Sequence, residues 1–179
     1  MQSRWFEHPF CEVFPIAHLM RGAFPEYWLR IHSLPNSKRY PDDEAERQIV
    51  FDRHSQFGTA LLGEHVRCLV IQSCFNGFSR SAELLPELEW RPIHQVVESD
   101  GEAWNSWMAY TTWDVAAFRT LLLAIADERE AHIAFVSEVT DCVFIPYDGG
   151  ADGFSFDTEL LRRLSEEFAP WRSAHPLGL

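Results

Sequence analysis

The chain has 179 residues, 46% of them hydrophobic, which suits one domain with a sizeable core (1–179) rather than two thin ones. A net charge of −12 and a pI near 5.0 disfavour attraction to nucleic-acid phosphates or anionic lipid, and make a basic protein the natural partner. No apolar run approaches the ~18 to 20 residues that span a bilayer, and Glu7 and Pro9 interrupt the start where a signal peptide needs continuous apolar residues; a cytoplasmic, membrane-free protein is expected.

In chain order, residues 1–27 are dense in aromatics and broken by Pro9, Pro15 and Pro25, which predicts a wrap of short turns around the core. "YWLRIHS" alternates as a strand does, with Trp28, Arg30 and His32 on one face and Leu29, Ile31 and Ser33 on the other. "LPNSKRYPDD" reads as a loop. Asp42 or Asp43 can cap the following helix, which Gly63 closes, and Val50, Phe57 and Leu61 fall within about 40° of arc as its core stripe.

"VRCLVIQSC", Val66 to Cys74, is β-branched and apolar on both faces, which predicts an interior strand. "PIHQVVE" and "WNSWMAYTTW" are two further strands around the turn "SDGE". Asp114 is placed to cap a helix over 115–130 with Val115, Phe118, Leu122 and Ile125 on its apolar face. "HIAFVSEV" and "CVFIPY" read as strands, and a hairpin plus final helix, with Leu161, Leu164 and Phe168 aligned, occupies 142–171. Turns too short for parallel crossovers then indicate an α+β fold: a largely antiparallel sheet of about five to seven strands with three main helices packed on it.

Chemistry-bearing motifs are few. "YDGGADGF" can be aligned with an EF-hand loop starting at Asp148, but Gly150 stands where a side-chain oxygen belongs, and the strand-like "CVFIPY" replaces the entering helix. A phosphate cradle would need its glycines directly before a helix, and "GFSFD" intervenes. The expected structure is a tight hairpin, with Tyr147, Asp148, Gly149, Gly150 and Asp152 as the turn motif and positive φ angles at Asp148, Gly149 and Gly150. The eight histidines form no HExxH, HxH or HxxxH pair and there is no GxSxG, so neither a metal, a cofactor nor a nucleophile is signalled. Four cysteines without a CxxC read as reduced thiols, since Cys68 and Cys74 in one strand lie too far apart to bridge. Seven tryptophans could stack on bases, but in an acidic chain they read as core.

The best remaining candidate is cationic. Arg30 and His32 share a strand face, Lys38 and Arg39 follow in the loop, and Arg53 and His54 lie beside the helix's apolar stripe, with Glu46 flanking its other side. Such a cluster can bind an anion, or it can be an ion-pair network in which Glu46 or the loop neutralises Arg53. Two functions follow: a non-enzymatic interaction domain, immunity-like against a basic partner, or a small hydrolase or phosphate-ester enzyme using Arg30, His32, Lys38, Arg39 and His54.

"YDGGADGF", followed by "LLRRLSEEFAPW" and "HPLGL", resembles the C-terminal part of a bacterial domain family of unknown function in which a Tyr-Asp-Gly turn precedes a helix ending in tryptophan. "RIHSLPNSKRYP" with "DRH" resembles the N-terminal signature of relatives of that family. The resemblance implies an α+β fold and no established activity.

Overall fold

The computed structural model describes residues 8–75, 84–97 and 103–172. Among the described residues, four α-helices accompany one seven-stranded, wholly antiparallel sheet: α1 Ala17–Ala23, β1 Trp28–His32, α2 Glu44–Leu62, β2 Arg67–Phe75, β3 Arg91–Val97, β4 Ala103–Thr112, α3 Arg119–Ala126, β5 Ile133–Ser137, β6 Val143–Tyr147, β7 Gly150–Phe154 and α4 Thr158–Glu167. This is the expected α+β class. Spatial order is β1-β7-β6-β5-β2-β4-β3, so the first strand closes one edge beside the last. The expected "SDGE" turn at 99–102 lies outside the described residues, as do Trp5 and Phe6 of the N-terminal wrap.

Local chemistry accounts for the elements. Asp43 Oδ1 accepts from the Glu46 amide at 2.9 Å and starts α2, while Gly63 ends it at φ 95°, where a side chain would be strained. Asp157 caps α4 by accepting from the Glu159 and Leu160 amides. Pro146 tolerates its place inside β6 because β5 pairs only with Val143 and Phe144, leaving Pro146 opposite Ala151 alone. The helix expected over 115–130 is shorter: Asp114 Oδ1 caps a turn through the Ala116 and Ala117 amides, helix geometry runs from Arg119 to Ala126, and Glu128 at φ 56° stops it.

Two apolar layers flank the sheet. On one face Leu29, Ile31, Cys68, Val70, Phe135 and Phe144 meet Phe57 and Leu61 of α2, Leu122 and Ile125 of α3, and Leu161 and Leu164 of α4. On the other, Leu69, Ile71, Val143, Ile145 and Phe154 meet Phe10, Met20 and Phe24 of the N-terminal segment. The N-terminal segment thus packs on this second sheet face, and β2, interior and apolar on both sides, contributes to both layers.

The glycines of the hairpin serve close approach. Neither Asp148, Gly149 nor Gly150 has a positive φ, contrary to the expectation for the turn, which takes only Asp148 and Gly149 between the paired Tyr147 and Gly150. A Cβ on Gly150 would stand 2.3 Å from the Ile31 carbonyl oxygen, and one on Gly153 would stand 2.5 Å from Leu61 Cδ1. The absence of a Cβ at both positions lets β7 pair with β1 and lie under α2. The paired strands "FIPY" and "DGFSF" are present as β6 and β7.

Candidate functional site

The six cationic candidates do come from neighbouring elements, but the structure divides them. Ser33, just past β1, accepts or donates at 2.8 Å to His54 Nε2, and Arg53 Nη1 donates at 3.0 Å to the His32 carbonyl. β1 is therefore tied to α2 by two buried polar contacts. His54 is fully buried between this serine and the Gly150 backbone, and burial pulls its pKa down to about 4, so it is held neutral. Arg53 is 9% exposed with its guanidinium over the Trp171 ring at 5.2 Å, and burial lowers its pKa. The suggested Glu46–Arg53 pair is absent: Glu46 instead takes Lys38, which also donates to Asp42 at 2.7 Å. Both carboxylates raise the lysine's pKa.

Arg39 is likewise occupied. Its Nε pairs with Asp148, and Asp148, then Glu128, raise its pKa, while Tyr40 donates to Glu128 at 3.0 Å. The His32 ring contacts Ser37 Oγ at 3.2 Å, and burial, then the charges of Arg30 and Arg53, lower its pKa. Lys38 and Arg39 thus neutralise acids of this chain.

Arg30 belongs to a different place. It lies across from Asp152 in the β1–β7 ladder, on the face that the N-terminal segment covers, with its guanidinium 5.3 Å from the Tyr147 ring centroid. Asp152 is 0% exposed. Trp28 Nε1 donates to its Oδ1 at 2.9 Å, the Tyr147 hydroxyl donates to the same oxygen at 3.4 Å, and Arg21 Nε of α1 lies 3.6 Å from Oδ2. Oδ2 makes no hydrogen bond among the described residues, nor does the buried Arg30 Nε. Desolvation pushes the Asp152 pKa up to about 6 against the opposing pull of Arg21, Trp28 and Arg30, and it pushes the Tyr147 hydroxyl up as well.

Asp152 was legible as part of the turn motif but not as a buried acid. The available signal is its place two residues before Phe154: strand alternation puts a carboxylate on the face of a buried phenylalanine. Arg21 carries no comparable signal, because it reaches the sheet from a separate seven-residue helix. Asp148 and Asp152 point to different partners, Arg39 and Trp28, so the pair does not act as one loop of oxygen ligands. Among the described residues no three His, Cys, Asp or Glu side chains converge in a way that could hold a metal ion.

The chain belongs to a family described as a domain of unknown function (DUF3885), whose model matches residues 16–176. That span includes α1 with Arg21, the β1 edge, and the hairpin carrying Tyr147 and Asp152. No curated protein and no solved structure matches the chain.

Proposed function

We propose that this chain is a non-enzymatic, cytoplasmic binding domain that recognises a basic protein, in the manner of an immunity protein that masks its target. The observation that carries the reading is the internal neutralisation of the loop cations: Lys38 is held by Asp42 and Glu46, and Arg39 by Asp148 and Glu128. With those cations committed, the excess acid of a −12 chain is what remains to offer a partner. The same pairing weighs against the hydrolase reading, because a phosphate ester would have to displace carboxylates from two of the five residues that reading needs.

Calorimetric titration with an arginine-rich decapeptide at about 0.15 M salt tests the proposal, since a Debye length of about 8 Å suppresses diffuse attraction. A saturable one-to-one isotherm, weakening with added salt, is expected, together with no turnover of a chromogenic phosphate monoester. A non-saturating signal, or ester hydrolysis lost in His54→Gln, would overturn the reading.

A further inference from the structure

We propose that Asp152, Trp28 and Tyr147 form a cage for an arginine side chain, filled in this structure by the chain's own Arg21, whose place an arginine of the basic partner takes. This rests on the binding-domain reading and names its anchor point. The geometry has the three parts that guanidinium recognition needs. The Asp152 carboxylate is the anionic floor, fully buried and so poorly screened. Trp28 and Tyr147 are the walls: the Arg21 guanidinium carbon lies 5.8 Å from each ring centroid, within the ~6 Å over which a ring face attracts a cation. The way in is Arg21 itself, whose side chain is 25% exposed, so the cage reaches solvent along it.

Arg21 occupies the cage without satisfying it. Its Nε is 3.6 Å from Oδ2, beyond hydrogen-bond length, whereas Arg67 and Arg47 approach the carboxylates of Glu138 and Asp127 at 2.9 Å. Oδ2 therefore keeps an open acceptor site deep in the fold, a costly arrangement for a carboxylate whose only purpose is structural. A guanidinium free to align its planar fork could donate to Oδ2 directly. Exchange needs only the Arg21 side chain to swing out: α1 itself stays anchored through Met20, which is 0% exposed in the layer on this sheet face, while the Arg21 side chain reaches solvent. Arg30 stays in place on β1 in either state, with its guanidinium carbon 5.3 Å from the Tyr147 ring centroid, and balances the buried charge.

The test vacates the cage and offers it a guanidinium. Arg21→Ala, with Arg21→Gln as a second variant in case alanine unfolds α1, is titrated with N-acetyl-arginine methylamide and with the lysine analogue, following the Trp28 indole N–H resonance. Because a tethered occupant competes at an effective concentration in the millimolar range, removing it should tighten arginine binding by about tenfold or more over wild type. Adding Asp152→Asn to either variant should abolish the gain, and the lysine analogue should bind more weakly. Equal binding by wild type and both Arg21 variants, indifference to Asp152→Asn, or binding of inorganic phosphate in place of the arginine analogue would each overturn the cage. If the decapeptide binds one-to-one but Asp152→Asn leaves it unchanged, the cage fails and the binding-domain reading survives; if the decapeptide does not bind, the reading itself fails.

Discussion

The Trp28 indole N–H donates to Asp152 Oδ1 at 2.9 Å, joining the first residue of β1 to a carboxylate of β7 that no solvent reaches. The two are offset by two places in the ladder, where Arg30 stands opposite Asp152 and Trp28 opposite Phe154. Alternation puts Trp28, Arg30 and Asp152 on one face, so an edge strand delivers both a donor and a cation to a buried acid.

Replacing that donor should be costly because a buried carboxylate loses a charge-assisted bond. Trp28→Phe removes the N–H together with part of the indole ring, so the expected loss of about 2 kcal/mol in urea unfolding at pH 7 contains a hydrogen-bond part and a packing part. In the Asp152→Asn background the same substitution should cost less, and an unchanged cost would show that Trp28 acts by packing alone.

Protonation of Asp152 and of His54 should move stability in opposite directions. The folded-state pKa of Asp152 is raised to about 6 from an ordinary 3.8, so its favourable contribution is complete below the unfolded value and is lost as pH rises through 6. Asp152→Asn should therefore gain on wild type by about 2 to 3 kcal/mol between pH 4 and pH 7, at 1.36 kcal/mol per pKa unit. His54 is depressed from 6.5 to about 4, so its contribution is present above 6.5 and is lost as pH falls toward 4. Thermal melts of Asp152→Asn and His54→Gln beside wild type across this range separate the two; variant differences that stay flat with pH would exclude both titrations.

Adjacent glycines in the hairpin should respond unequally to alanine. A Cβ at Gly149 meets Arg39 Cγ at 3.4 Å, an ordinary contact, whereas at Gly150 it meets the Ile31 carbonyl oxygen at 2.3 Å. Gly149→Ala should stay within about 0.5 kcal/mol of wild type and Gly150→Ala should lose about 3 kcal/mol as β1 is forced off β7. Equal melting temperatures for the two variants would contradict this packing.

Two arginines of the sequence-derived cluster should differ in the same way. Arg53→Ala leaves the buried His32 carbonyl without its donor and Trp171 without its stacked cation, for an expected loss of about 2 kcal/mol. Arg39, 60% exposed in its pairs with Asp148 and Glu128, should change stability by less than about 1 kcal/mol when replaced by alanine. Chemical denaturation ranks them, and the reverse order would refute the assignment.

All four cysteines are free thiols, and burial pushes Cys68 up to about 12 and Cys74 up to about 11. A thiol reagent near pH 8 should spare the buried Cys68 and Cys142 in the native protein and titrate all four after unfolding without reductant. Recovering two or fewer would mean a disulfide.

Much of the fold was readable because it depends on near neighbours in sequence. A cap at Asp42 or Asp43, the stop at Gly63, the apolar run of β2 and the pairing of β6 with β7 follow from local periodicity and composition, although the positive φ angles expected in the β6–β7 turn are absent. The α+β class follows from the lengths of the connections. Strand order did not, since pairing β1 with β7 joins Arg30 to a residue 122 positions away through contacts that no local pattern encodes. The same separation hid the candidate site. Sequence grouped Arg30, His32, Lys38, Arg39, Arg53 and His54 by nearness along the chain, but a strand sends alternate side chains to opposite faces of the sheet. The fold accordingly tied Arg53 and His54 to the β1 end, committed Lys38 and Arg39 to surface acids, and carried Arg30 to Asp152. Residue types and their local conformations are properties of short segments; which charge meets which is settled by long-range packing, because only packing removes the water that would otherwise make every pairing equivalent.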